Sequence, residues 1–172
     1  MMTTATALQF DHATDYYSDA YIRDILRDSQ VYAVVGASTN WNRPSYFAMK
    51  YLIQKGFRVI PINPNSAGES LLGETVVASL SGVDVPIDVV QAFRRSDQVA
   101  GVIDEALSLK PRPKVIWMQL GVINYEAAEK AESVGIKVVM NRCPKIEYAR
   151  LSGELGWNGI NTRVITAKKR VI

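Results

Sequence analysis

Short apolar runs alternate along the chain with longer stretches in which apolar residues recur every three or four positions. Five of the short runs are rich in valine and isoleucine and lack polar alternation, which is typical of strands buried on both faces of a parallel sheet. The runs are VYAVVG (31–36), FRVIPIN (57–63), IDVVQAF (87–93), KVIWMQL (114–120) and IKVVMN (136–141). We therefore predict a single sheet of five parallel strands.

The stretches between these runs have helical spacing of their apolar residues. Helices are predicted over residues 19–28, 45–55, 96–109 and 125–134, and a short one within RCPKIEYARL (142–151). Gly56 fits a C-terminal cap, and Pro111 stops the helix before it. Strands alternating with helices predict an α/β fold, a doubly wound, Rossmann-like, parallel five-stranded sheet in a single domain.

The chain has 172 residues, enough for one compact domain. We expect an N-terminal helical extension over residues 1–30, the Rossmann-like domain over 31–152 and a basic C-terminal tail over 153–172. The apolar runs are too short to span a bilayer, and the first residues lack the pattern of a signal peptide. A single cysteine suits a reducing compartment, so we expect a cytoplasmic protein.

The net charge is +3, and the charged residues are unevenly distributed along the chain. Between Ser29 and Gly68 there is no carboxylate, whereas four cationic side chains occur there, which suits an anionic ligand. The tail after Glu154 has only basic charges. We expect it to be solvated, because basic segments that bind nucleic acid usually have denser charge and nearby aromatic residues. Nucleic-acid binding through this tail remains the alternative.

In a doubly wound fold, ligands bind beyond the carboxyl ends of the strands. After the first strand a small-residue turn leads into a helix, an arrangement in which backbone N–H groups and the helix N-terminus favour a phosphate. Arg43 is within reach of a second phosphate. The candidate residues are Gly36, Ala37, Ser38, Arg43, Pro44 and Ser45. A single glycine is weak support, and a tight turn without a ligand is the alternative.

The residues at the end of the second strand distinguish an NAD site from other nucleotide sites. An NAD site normally has a carboxylate there to bind the ribose, but this chain has Asn63 and Pro64, and its first acid is Glu69. An NAD site is therefore disfavoured. Asn63 and Pro64 form either a stiff, extended surface against which a flat ring packs or an ordinary turn.

Two arginines follow the third strand, within the candidate residues Phe93, Arg94, Arg95 and Ser96. The guanidinium fork matches the oxygens of a pyrophosphate or a ribose phosphate, so we expect a crevice that is edged by arginine and free of acids. Solvated surface arginines are the alternative.

Few residues suggest catalysis. Cys143 lies beside Arg142 near a predicted helix start, where a thiol is either reactive or simply buried and inert. His12 is the only histidine, so we expect no histidine-rich metal site. We find no triad or paired-carboxylate pattern.

Several motifs occur in the order and spacing of a known family. They are VVGAS (34–38), RPSYFAMKYL (43–52), GFRVIPINPN (56–65), GE (73–74), SL (79–80), IDVVQAFRRSD (87–97), VIWMQLGV (115–122) and GIKVVMNRCPKIEYARL (135–151). The chain resembles the CoA-binding domain family of small Rossmann-like proteins, also described as YccU-like. These are similar to the amino-terminal domain of the succinyl-CoA synthetase α subunit. Asn141 departs from the family's usual aspartate.

The resemblance implies that the ligand is coenzyme A or an acyl-CoA, held by the candidate residues at the three strand ends. It also implies a non-catalytic binding or regulatory module, because the synthetase's phosphate-carrying histidine belongs to a second domain that this chain lacks. A thiol-dependent acyl-transfer or redox enzyme using Cys143 is the alternative. We expect a small-molecule partner, no membrane and no nucleic acid, and a protein partner is left open.

Overall fold

Five parallel strands form the central sheet of the computed structural model, which describes residues 7–153. The strands are β1 (Val31–Val35), β2 (Arg58–Ile62), β3 (Val89–Ala92), β4 (Val115–Met118) and β5 (Lys137–Val139). Their order across the sheet is β2-β1-β3-β4-β5, and every pairing is parallel. The predicted fold class is confirmed. The predicted basic tail, apart from its first residue, lies outside the described residues.

Five α-helices accompany the sheet among residues 7–153. They are α1 (Asp19–Asp28), α2 (Pro44–Gln54), α3 (Val99–Ser108), α4 (Tyr125–Glu132) and α5 (Pro144–Leu151). Short 3-10 turns cover Pro64–Ser66, Leu80–Gly82 and Ser96–Gln98. Two small hairpins pair Phe10–Asp11 with Tyr16–Tyr17 and Ser70–Leu71 with Glu74–Thr75. Among these residues, no helix is both long enough and apolar enough to cross a membrane.

The predicted helix over 96–109 begins later than expected. Residues Ser96–Gln98 form a 3-10 turn, and the α-helix starts only at Val99. The Ser96 hydroxyl accepts a hydrogen bond from the Ile123 N–H at 3.0 Å instead of capping the helix. Ser96 therefore joins two loops, and the helix begins three residues later than predicted.

The sheet is buried on both faces, which explains the lack of polar alternation in its strands. Successive residues of one strand enter different clusters of buried side chains: Val34 packs in the first and Ala33 in the second. Helices α1, α2 and α5 contribute to the first cluster, whereas α3 and α4 contribute to the second. The chain thus covers each face with different helices, as a doubly wound fold requires.

Strand order reverses between β1 and β3. The chain leaves β1 through α2 on one face and leaves β3 through α3 on the other, while β2 lies on the far side of β1. The loops after β1 and β3 therefore diverge at the carboxyl edge of the sheet. This topological switch point is where open α/β sheets bind their ligands.

Candidate functional site

The loops that follow β1 and β3 meet at Gly36. This residue has a φ of +87°, and a Cβ atom added to it would lie 2.3 Å from the carbonyl oxygen of Phe93. The Phe93 N–H in turn donates to the carbonyl of Val35 at 2.9 Å. Only glycine satisfies both the left-handed backbone and this close approach.

The backbone of the same turn is bonded to the end of β2. The N–H groups of Gly36 and Ala37 donate to the carbonyl of Ile62 at 3.0 and 3.2 Å. The Asn63 side-chain amide donates to the carbonyl of Ala37 at 2.8 Å, and its oxygen accepts from the Asn65 N–H at 2.9 Å. Gly36, Ala37 and Asn63 thus fix the shape of the crevice, and their backbone N–H groups already have protein partners.

The start of α2 is open to solvent beside this turn. Pro44 is its first residue, and the N-cap residue Arg43 makes no side-chain capping bond. Ser45 is buried, and its hydroxyl accepts from the Ser38 N–H at 3.1 Å. Arg43 and Pro44 are exposed. A helix N-terminus without a side-chain cap, next to an arginine, favours an anion.

A cavity of about 570 Å³ lies on the α3 side of the crevice. Its apolar wall includes Val35 at the end of β1 and Ile62 at the end of β2, with Pro64 beside them. Arg94 contributes a cation to the same cavity. The volume falls within the range of roughly 300–1,000 Å³ that is typical of small-molecule sites.

The two neighbouring arginines are placed differently. Arg94 lines the cavity, whereas the Arg95 guanidinium pairs with the Asp97 carboxylate at 3.2 Å on the surface. The Arg95 side chain is 75% exposed. The structure therefore brings Arg94 together with Pro64 and leaves Arg95 outside the cavity.

The expectation of an acid-free crevice is wrong for one wall. Asp97 and Glu105 both line the cavity, because the 3-10 turn and α3 contribute side chains beyond the residues that directly follow β3. A Glu105 carboxylate oxygen accepts from the Ser81 N–H at 3.3 Å. The cavity thus combines one arginine with two carboxylates.

Sequence reasoning also missed the segment that closes the β2 side. Val77 forms a parallel bridge with Ile62, and this bridge brings Ala78 and Ser79 to the cavity. The SL pair at 79–80, which matched a family motif, was the available signal. Ser96 lies in the turn after β3, where its carbonyl and hydroxyl join the loops after β3 and β4.

The residues considered for catalysis lie apart from the cavity lining. Cys143 is 6% exposed at the N-cap of α5. His12 contacts Tyr17 and Glu132 through its two ring nitrogens. Among the described residues, no group of three or more histidine, cysteine, aspartate or glutamate side chains is arranged to hold a metal ion.

Comparison with known proteins places these features in a family. Residues 30–149 match the family described as CoA binding domain. The uncharacterised protein YneT of Bacillus subtilis is 39% identical over 132 residues, which cover 77% of this chain and 95% of YneT. A solved structure from Thermus thermophilus is 35% identical with a TM-score of 0.74, covering 78% of this chain and 98% of that one.

A larger solved enzyme contains a similar unit. The dinucleotide-forming acetyl-coenzyme A synthetase 1 of Ca. Korarchaeum cryptofilum, in complex with phosphate and ADP, is 26% identical with a TM-score of 0.52. The similarity covers 67% of this chain and 27% of the synthetase. The fold of this chain therefore corresponds to about a quarter of that enzyme.

Proposed function

This chain belongs to the CoA-binding domain family, and we propose that it binds coenzyme A or an acyl-CoA at the carboxyl edge of its sheet without catalysing a reaction on it. The observation that carries the proposal is the position of Arg94, which lines a cavity where the strand order reverses. Such a position combines the usual binding crevice of the fold with a cation suited to phosphate.

The phosphates of the cofactor have two cationic partners in this proposal. Arg94 binds one phosphate from the cavity, and Arg43 binds another at the open start of α2. The N–H groups in the first turn of α2 add the positive end of the helix dipole. Pro44, the first residue of α2, and Ser38, whose N–H donates to the Ser45 hydroxyl, belong to the same turn as Arg43.

The cavity suits the adenosine end of the cofactor. A flat ring packs against the apolar wall formed by Val35, Ile62 and Pro64. The carboxylates of Asp97 and Glu105 accept hydrogen bonds from an amino group or a sugar hydroxyl. Carboxylates repel phosphates, so the phosphates must lie on the side of the arginines. We therefore orient the ligand with its ring beside the carboxylates and its phosphates beside the arginines.

An NAD-type site is not supported. The position at the end of β2 that normally holds a ribose-binding carboxylate is Asn63. The Asn63 side chain carries no charge, and its bonds to Ala37 and Asn65 fix its orientation. Two independent features, residue type and hydrogen bonding, therefore favour a ligand that does not need this contact.

The role proposed is binding rather than catalysis. His12 is bonded on both ring nitrogens, and Cys143, the nucleophile of the alternative thiol enzyme, is largely buried. Neither residue lines the cavity. A module that holds coenzyme A for sensing, carrying or regulation needs no acid, base or nucleophile at this site.

Thermal unfolding in the presence of nucleotides tests the proposal. A ligand that binds only the native state stabilises it, by about 2.7 kcal/mol at a concentration 100 times its Kd. We expect coenzyme A to raise the melting temperature, dephospho-CoA to raise it less because it lacks the ribose phosphate, and NAD to leave it unchanged. No change with millimolar coenzyme A would overturn the proposal.

A further inference from the structure

Strand β5 is the last strand of the sheet, and two backbone groups on its outer side are bonded to tyrosine hydroxyls. The Tyr21 hydroxyl donates to the carbonyl of Val138 at 3.1 Å. The N–H of Met140, just past the strand, donates to the Tyr17 hydroxyl at 2.8 Å. All four residues are buried. An uncovered edge with such groups would be a template for pairing with another chain.

The other edge of the sheet is closed in a different way. Next to β2, the Val77 N–H donates to the carbonyl of Pro61, and the Asn63 N–H donates to the carbonyl of Val77, both at 2.9 Å. Backbone therefore covers the β2 edge. Among the described residues, the bonds to the outer groups of Val138 and Met140 come from side chains of the segment before β1.

The Tyr17 hydroxyl is held in place by His12. The hydroxyl lies 2.7 Å from Nδ1 of His12, and Nε2 lies 2.5 Å from a carboxylate oxygen of Glu132 in α4. The His12 ring therefore connects the Tyr17 hydroxyl to the Glu132 carboxylate through its two nitrogens. Burial raises the pKa of Tyr17 to about 12, which keeps this hydroxyl protonated.

The hairpin that carries Tyr17 has a second attachment. The Asp15 carboxylate and backbone carbonyl accept from the Arg142 guanidinium, each at 2.7 Å. The Arg142 guanidinium also lies over the Tyr17 ring, 5.2 Å from its centroid. The ring of Phe10 packs 5.1 Å from that of Tyr21. We call residues 10–21 the edge guard.

We propose that the edge guard prevents β5 from pairing with β5 of a second copy of this chain. The outer groups of β5 complement themselves: in an antiparallel pairing centred on Val139, the Met140 N–H of each copy faces the Val138 carbonyl of the other. The same patch on both copies gives a closed two-fold contact. The bonds that Tyr17 and Tyr21 make are therefore those that a second copy would otherwise make.

The test removes both tyrosine side chains from the 172-residue chain, because Tyr21 would otherwise still donate to the Val138 carbonyl. The double variant Tyr17→Ala/Tyr21→Ala is compared with the wild type and with Tyr16→Ala, a control in the same hairpin at a residue that is 44% exposed. Light scattering over a concentration series measures the mass, and hydrogen exchange measures protection of the Met140 amide. If the double alanine variant does not fold, Tyr17→Phe/Tyr21→Phe is used, because it keeps the rings and removes only the hydroxyls.

We expect the mass of the double variant to rise with concentration to about twice that of the wild type, with Met140 unprotected at low concentration and protected again as the mass rises. Tyr16→Ala should behave like the wild type. An unchanged mass, whether Met140 is protected or not, would overturn the proposal. So would association that leaves the Met140 amide exposed, because the contact would then lie elsewhere.

Discussion

Gly36 and Phe93 are so close that a single added carbon on Gly36 would lie 2.3 Å from the Phe93 carbonyl oxygen. This contact joins the loops after β1 and β3 at the point where the strand order reverses. The crevice therefore depends on a glycine for its shape, and not only for the flexibility of a turn.

Replacement of Gly36 by alanine should destabilise the protein more than the same change elsewhere. Gly73 is the matched control, because its φ of +84° is similar but no atom lies within 4 Å of an added Cβ. We expect Gly73→Ala to lower the free energy of unfolding by about 1–2 kcal/mol from backbone strain alone. Gly36→Ala should lower it further or prevent folding. Equal midpoints in urea would contradict the close contact.

Two adjacent arginines should differ in their effect on ligand binding. Arg94→Ala removes a cation that lines the cavity. We expect the Kd for coenzyme A to rise roughly 10- to 100-fold, which corresponds to the loss of one charge-assisted hydrogen bond. Arg95→Ala removes only an exposed pair with Asp97 and should change the Kd less than about threefold. Calorimetric titration measures both. A larger loss from Arg95→Ala would mean that the phosphates bind outside the cavity.

Asp88 lies at the amino ends of the strands, opposite the carboxyl edge, and joins the start of β3 to the start of β1. Its carboxylate accepts from the N–H groups of Gln30 and Val31 at 2.8 and 2.9 Å and pairs with Lys114 at 3.1 Å. Burial alone would raise the pKa of Asp88, but these two N–H groups and the Lys114 ammonium hold the pKa below its usual value. Its contribution to stability is therefore complete above the unfolded-state pKa of roughly 3.9 and disappears as the pH falls through the folded-state value.

Asp88→Asn should lower the free energy of unfolding by about 1–2 kcal/mol at neutral pH, because the bonds lose their charge. The difference from the wild type should shrink as the pH is lowered below about 4, where Asp88 itself becomes neutral. Denaturant titrations at several pH values measure this. Asp84→Asn, at an exposed carboxylate, is the control. A difference that does not depend on pH would contradict the assignment.

The fold could be predicted because its signals are local. Valine-rich runs without alternation define the buried strands, and α5 begins at Pro144, within the segment 142–151 where a short helix is predicted. The position of Gly36 was predicted for the same reason, since a strand followed by glycine and small residues indicates a tight turn.

The chemistry of the crevice was harder to predict because it depends on tertiary contacts. In the sequence, Arg94 and Arg95 are equally good candidates for binding a phosphate. Only the path of the chain after β3 shows that Arg94 lines the cavity and that Arg95 pairs with Asp97 on the surface. Glu105 reaches the cavity from the second turn of α3, nine residues beyond Ser96. The partners of the Gly36 and Ala37 N–H groups lie on another strand, so no pattern along the chain indicates them.

The most direct test of the central claim is to map the bound cofactor by backbone amide NMR during titration with coenzyme A. We predict that the largest shifts fall in the turn after β1, at the start of α2 and around Arg94, with little change beside Asp88 at the opposite edge. Shifts concentrated beside Asp88, or no shift with saturating coenzyme A, would contradict the account.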